Sequence, residues 1–284
     1  MPARGTFGFG LARSLDFHTS VTCFTELCEL LSNAAGQVFY PHHALSYGEL
    51  AAGLGRGDLG IAWAPPIPAI DLLERAQATL LVTPVRKGST LYHSALVVRP
   101  GGPSTLEALR GKRVGWVDRD SAAGYIVPRL HLGEKGIDPD AFFSKEDFLG
   151  SHIAVIEAVL SGRVDVGATF AKVESHTGRI LHAAWTNPEG KSRSPVEVVS
   201  TIGPIPSDVL VASNRLPPDL RARIFRWFID PGSLRATQLL HELIRADSCR
   251  APTPSHYEPL RRMILAAGVR GDSWRKSVRP PPPA

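Results

Sequence analysis

Cysteine is scarce in this chain: Cys23, Cys28 and Cys249 are the three among 284 residues. An odd count gives no disulfide framework. Cys23 and Cys28 lie five apart in an expected helix, where four would be needed to share a metal comfortably. Buried core thiols are therefore the expected state. No apolar run reaches eighteen residues, so nothing reads as a membrane-spanning helix. There is no Gly-x-Ser-x-Gly elbow. The glycine-rich stretch GLGRGDLG at 53–60 lacks the Gly-Lys-Ser/Thr ending of a phosphate loop, follows a helix, and reads as a turn. His42-His43, and His176 with His182, do not make an i, i+4 pair around an acid, which argues against a metal. Nor is there a zinc spacing, a recognition helix or a basic stretch interleaved with aromatics, so nucleic acid is not an expected partner. No cofactor is expected.

What the chain does have is ordinary globular composition, 43% hydrophobic and 21% charged, enough for one large or two medium α/β lobes. The net charge is +5. Part of it is a tail effect, because Arg261, Arg262, Arg270, Arg275, Lys276 and Arg279 crowd the end. The opening MPARGTFGFGLARS lacks the apolar core of a secretory signal. As written, the chain is expected in the cytoplasm, unless it is a mature form or its start is misplaced.

Short apolar runs alternate with helix-period segments. Strands are predicted over 7–12, 38–40, 59–63, 79–85 and 91–98, with helices over 21–35, 47–54 and 67–76 between the first four. Repetition of strand, helix and strand marks parallel sheets with crossover helices. The pattern begins afresh with a strand over 114–117, a helix over 126–135 whose first turn must accommodate Pro128, an extended segment over 145–149, a helix over 153–160 and a strand over 164–170. Strands over 196–202 and 208–212 follow, then mostly helix from 217 to about 267. The fold class is thus α/β with two lobes. Residues 1–95 and 203–268 are expected to form a discontinuous lobe I and 96–202 lobe II, with a disordered Pro/Arg-rich tail over 269–284. Strands 91–98 and 196–202 would be the hinge, with a cleft near the carboxyl ends of the strands.

Three places join a strand end to a helix start: Ala64-Pro65-Pro66, Ser121 to Gly124, and Gly150-Ser151-His152. Each offers unpaired N–H donors and the positive end of a helix dipole, a fitting place for an anion. On spacing alone, ordinary capped turns are the simpler reading.

The segments STLEALRGKRVGWVDRDSAAGYIVPRLHL, GSHIAVIEAVL with SGRVDVGATF, and TIGPIPSDVLVASNRLPPDLRARI resemble the phosphonate-type substrate-binding proteins of ABC importers. SYGELAAGLGRGDLGIAWAPP and LYHSALVVRPGG are similar to that family's first lobe, in the family's order, from about residue 7 to 230. The resemblance implies a periplasmic-binding type II fold whose lobes close on a phosphonate, phosphite or phosphate-like oxyanion. It further implies a monomer that serves an ABC permease. The family's anion turn falls on Ser121, Ala122, Ala123 and Gly124, and its anion-meeting histidine on His152, after Ser151. Its pocket tyrosines fall on Tyr47 and Tyr92, and its first-lobe wall on Trp63. Phe170, after the VDVGA strand, completes the expected set. The family is typically periplasmic or lipid-anchored. A cytoplasmic enzyme reusing the fold, or a ligand sensor reporting to a signalling partner, is the alternative.

Two departures from the family pattern matter. Ala122 and Ala123 replace two hydroxyl donors, and hydrogen bonds to a charged group are worth about 1.5–3 kcal/mol each. In addition, Thr169-Phe170-Ala171-Lys172 stands where relatives that accept aminoalkyl phosphonates place acids or amides, with Glu174 the nearest acid. An ammonium group such as that of 2-aminoethylphosphonate is poorly provided for.

Overall fold

The computed structural model describes residues 5–12, 21–44, 47–119, 121–174, 176–187, 191–192 and 195–266. The N-terminal segment alternates β1 (Thr6–Ala12), α1 (Val21–Ala35), β2 (Val38–Ala44), α2 (Tyr47–Arg56), β3 (Leu59–Ala64), α3 (Pro66–Glu74) and β4 (Ala78–Val85). The middle holds β5 (Leu91–Val98), β6 (Arg113–Trp116), α4 (Val127–Glu134), α5 (Pro139–Phe142) and β7 (Lys145–Phe148). It continues through α6 (His152–Leu160), β8 (Val166–Val173), β9 (Ile180–Ala183) and β10 (Glu197–Pro206). Then come β11 (Val209–Ser213), α7 (Pro218–Ile229), α8 (Leu234–Ile244), β12 (Ser248–Arg250) and α9 (Glu258–Ala266). The chain divides into two compact units. One takes the residues up to Thr90 together with Ser207–Tyr257, and the other takes Leu91–Pro206 together with the residues from Glu258.

In the first unit, six strands run in the order β12-β4-β11-β3-β1-β2 among the described residues. β1 is parallel to β2 and β3, whereas β11 and β12 return antiparallel. Every residue of β3 is buried, as expected of a central strand covered on both faces. Apolar positions of α1 recur at Phe24, Leu27, Cys28, Leu31 and Ala35, one stripe of a 3.6-residue period. That stripe joins Phe9, Leu11, Ile61, Trp63, Ile224, Phe228 and Leu239 in one core. Cys28 and Cys249 lie in this core, where burial pushes both thiols up to about 12. Cys23 departs from the expected buried state: it is half-exposed and its thiol donates to Glu242 Oε2 at 3.2 Å. The C-terminal stretch expected to be mostly helix is interrupted, because Ser248–Arg250 pairs antiparallel with β4.

A half-buried ion pair ties this sheet together. Arg86 Nη1 and Nη2 donate to the two carboxylate oxygens of Asp208 at 2.6 and 2.9 Å, and Arg86 Nε donates to the Ile244 carbonyl at 2.8 Å. The indole N–H of Trp63 donates to the same Asp208 carboxylate.

In the second unit the order is β10-β5-β8-β6-β7, with β9 on β8. β6 is parallel to both β7 and β8, while β5, β9 and β10 are antiparallel additions. From β6 the chain moves outward to β7, then back past β6 to β8. Right-handed crossovers therefore place α4 and α6 on opposite faces, which is a topological switch point. Close helix–sheet approach requires glycine at one position: a Cβ on Gly167 would lie 2.5 Å from Val155 Cγ1 of α6. The strands expected over 91–98 and 196–202 are β5 and β10, paired with each other from Leu91↔Pro206 to Val98↔Glu197. β8 runs three residues beyond its expected end, to Val173, because β9 pairs with its last rungs. The tail over 269–284 lies outside the described residues.

Removing a partner from a largely buried pair leaves an uncompensated charge. Asp208→Ala is expected to cost about 2–3 kcal/mol of stability, somewhat less than for a fully buried pair. Denaturant unfolding checks it, and Asp208→Asn should recover part of the loss by still accepting from Trp63.

Candidate functional site

The stretch after β6 begins as an ordinary strand-to-helix turn, with Ser121 extended (φ −72°, ψ 116°) and its hydroxyl accepting from Gly124 N at 3.0 Å. The next residues, Ala122–Ile126, form a π-turn that leads into α4, the helix expected over 126–135. Ile126 N donates to Ser121 O, and Val127 N to Ala122 O, each reaching back five residues. This register leaves the Ala123 carbonyl outside the helical ladder, and the buried Ser94 hydroxyl of β5 donates to it at 2.6 Å. Pro128 has no N–H to give the Gly124 carbonyl, which instead accepts from Val117 N at 3.2 Å. Gly124 also touches Val117 closely: an added Cβ would lie 2.4 Å from Val117 Cγ2 and 2.8 Å from Ser121 Oγ. Glycine is required there by space. The amides of Ala122 and Ala123 sit in the first turn, ahead of any intrahelical acceptor.

A second helix start lies beside it. Leu149 N and Gly150 N donate to Trp116 O and Val117 O at 2.9 and 2.8 Å, extending the β6–β7 pairing into the loop. Gly150 takes φ +83°, and Ser151 caps α6 by accepting from Ala154 N at 3.1 Å. His152 is the first residue of α6. Its Nδ1 lies 3.0 Å from the Oγ1 of Thr169, a fully buried residue of β8. Its ring stands edge-on to Phe170 with centroids 5.0 Å apart. Densely surrounded by protein, the imidazole is desolvated and its pKa falls to about 4. His152 is thus a neutral donor or acceptor at physiological pH.

β8 shows two faces by strict alternation. Ala171 belongs to the core under α6. Phe170 is paired across from Ser94, whose hydroxyl holds the π-turn, so Phe170 and Lys172 lie on the π-turn's face. Continuing the Gly115↔Gly167 register puts Val117 level with Thr169. Accordingly the π-turn, the Gly150–His152 start and Phe170 meet at the carboxyl edge of the parallel strands.

The second unit thus brings together Ser121, Ala122, Ala123, Gly124, Ser151, His152 and Phe170. Tyr92 stands on β5 two residues from Ser94 and shares its face. Two expected residues lie in the first unit. Tyr47 opens α2, and its side chain is outside the described residues. Trp63 is buried in the core with its indole N–H already given to Asp208, which leaves it no donor for a ligand. Glu174, the nearest acid to Phe170, accepts from the Thr177 hydroxyl and pairs with Arg179 at 3.6 Å. Sequence reasoning passed over Thr169 and Ser94 as site-building residues. Their signal was a lone hydroxyl in an apolar strand, since a buried hydroxyl needs a partner.

A family model described as "ABC transporter, phosphonate, periplasmic substrate-binding protein" matches residues 9–257. A phosphonates-binding periplasmic protein from Escherichia coli (strain K12) is 23% identical over 241 residues, covering 83% of this chain and 69% of its own. Among solved structures, XAC2383 from Xanthomonas citri bound to ATP matches with a TM-score of 0.77 at 18% identity, over 97% of this chain and 100% of that one. PhnD1 from Prochlorococcus marinus in complex with methylphosphonate matches at 0.69 with 16% identity, over 93% and 99%. These similarities establish the two-lobe type II fold. The family finding also overturns the cytoplasmic expectation, because the matched proteins are periplasmic. An export signal is a separate segment removed from the mature protein, so the composition of the folded part does not report the compartment.

The His152 shift has a calculable consequence. Its folded pKa of about 4 lies below the ordinary value of 6.5, so the unfolded chain binds the proton first as pH falls. Stability from this group is complete above pH 6.5 and is lost as pH drops toward 4. Between pH 7 and 4.5 the loss should be about 2–3 kcal/mol. Urea unfolding of wild type and His152→Gln at both pH values checks this, because the variant should lack that part of the slope.

Proposed function

Because the chain belongs to the periplasmic phosphonate substrate-binding family of ABC transporters, we propose that it captures a small phosphorus oxyanion and delivers it to a permease. The observation that carries this reading is the convergence of two helix starts beside a neutral, hydrogen-bonded His152. The amides of Ala122 and Ala123 point their hydrogens at the anion, and the start of α6 adds the positive end of its dipole. The Ser121 hydroxyl, whose oxygen already accepts from Gly124 N, donates its single proton. The contact between His152 Nδ1 and Thr169 Oγ1 fixes the ring's orientation and leaves Nε2 for the ligand, as a donor in the tautomer in which Thr169 donates to Nδ1. Tyr92, on the same face of β5 as Ser94, adds a further side chain to the set. Trp63 supports the first lobe's wall from within the core.

The two alanines set the selectivity. With fewer hydroxyls, the turn holds its anion chiefly through backbone donors, whose directions are fixed by the fold. An ammonium substituent is not served, because Glu174 is engaged with Thr177 and Arg179. The enzyme reading gains no support from His152. A histidine with a pKa near 4 that is tied to Thr169 makes a weak general base at neutral pH.

Thermal unfolding against phosphate, phosphite, methylphosphonate, 2-aminoethylphosphonate, sulfate and simple carboxylates tests the proposal. A ligand at a hundred times its dissociation constant adds about 2.7 kcal/mol, or several degrees for a chain of this size. The expected result is a shift with phosphorus oxyanions that His152→Ala reduces at least tenfold in affinity, on the order of one charge-assisted hydrogen bond. No shift with any of them, or a preference for 2-aminoethylphosphonate, would contradict it.

A further inference from the structure

The π-turn holds two of its hydrogen bonds one residue out of the α register. Ile126 N donates to Ser121 O and Val127 N to Ala122 O, where an α-helix would give these donors to Ala122 O and Ala123 O. The acceptor that Val127 N passes over is already filled, because the Ser94 hydroxyl donates to Ala123 O at 2.6 Å. Ser94, Ala123 and Val127 are all buried, so water does not stand in for that bond. Ser94 is itself fixed from both sides, since β5 pairs with β10 at Ile202 and with β8 at Phe170. Each trans peptide is planar, so a held carbonyl aims the N–H of the next residue the opposite way. The Ile126 bond to Ser121 O therefore aims the Ala122 amide, and the Val127 bond to Ala122 O aims the Ala123 amide. Moving both donors one residue along would re-aim both amides.

We infer that Ser94 is a positioning residue for anion binding. By occupying Ala123 O it keeps Val127 N on Ala122 O, and so holds the turn in the register that points the Ala122 and Ala123 amides at the ligand. This rests on the phosphorus-oxyanion reading above and names a residue that serves it without touching the ligand. Removing the hydroxyl leaves a buried carbonyl in need of a donor. Val127 N, four residues on, is the donor that an α-helix would supply. The turn then relaxes to the α register, and the anion loses two aligned amides while every side chain of the turn is unchanged.

Isothermal titration of the full chain with methylphosphonate, together with NMR couplings measured through hydrogen bonds, tests this. In the wild type the Val127 amide nitrogen should couple to the Ala122 carbonyl carbon. In Ser94→Ala that coupling should move to Ala123, and affinity should fall about tenfold or more, the scale of one misdirected hydrogen bond to a charged group. Ser94→Thr, which keeps the donor, should retain both the coupling and the affinity. A merely structural serine would lower the unfolding midpoint in Ser94→Ala but leave the affinity and the Val127 coupling where they were. That result would overturn this inference and leave the oxyanion reading standing. A wild-type protein that binds no phosphorus oxyanion would overturn both. If Ser94→Ala does not fold, the wild type with methylphosphonate decides: coupling of Val127 to Ala122 supports the inference, and coupling to Ala123 overturns it.

Discussion

The absent N–H of Pro128 is the constraint on which the anion turn depends. An α-helix starting after β6 would need that proton to satisfy the Gly124 carbonyl. Without it, the carbonyl turns back to Val117, and the preceding residues close their hydrogen bonds over five residues. The wider turn takes the Ala123 carbonyl off the helical ladder, where Ser94 collects it. Each displaced carbonyl has thus become a tie to a neighbouring strand, β6 in one case and β5 in the other. π-turns of this kind are stored irregularities that often mark functional sites. Here the result is a turn whose Ser121, Ala122, Ala123 and Gly124 carbonyls are each held by a donor, which fixes the direction of the peptide planes between them.

Rigid aim matters because the turn has so little side-chain chemistry. Ala122 and Ala123 contribute only backbone, and His152 is uncharged, so the proposed site would hold an anion by oriented dipoles instead of by a fixed cation. Such an arrangement costs no reorganisation when the anion arrives. In the proposed reading it also leaves side-chain discrimination to the apolar ring of Phe170 on β8. The switch-point topology makes this division possible. It places the π-turn on one face of β8 and the N-terminus of α6 on the other, so both reach the same strand edge.

Much of the architecture was legible in the sequence. Alternation of short apolar runs with helical stripes gave the strand–helix order, and Gly150-Ser151-His152 correctly marked a helix start with a serine cap. The resemblance carried the family and the two-lobe fold. What could not be read was set by long-range partners. The π-turn depends on Pro128, Val117 and Ser94 together, and no local propensity reports a hydrogen bond across 29 residues. Trp63 read as a wall residue because the resemblance places the family's first-lobe wall on it. Its burial and its bond to Asp208, 145 residues away, are properties of the folded sheet. β9 was missed because a four-residue strand with a histidine in it has no distinctive period, and without β9 the end of β8 looked like a loop. The compartment was misread because an export signal is not part of the fold.

The central claim is that backbone amides of the Ser121–Gly124 turn bind the anion. Amide chemical shifts measured in solution during a titration with methylphosphonate test it most directly. The account predicts that the largest downfield proton shifts fall on Ala122 and Ala123, with His152 next, as their N–H groups gain a charged acceptor. Saturable binding that leaves the Ala122 and Ala123 amides unmoved would contradict it.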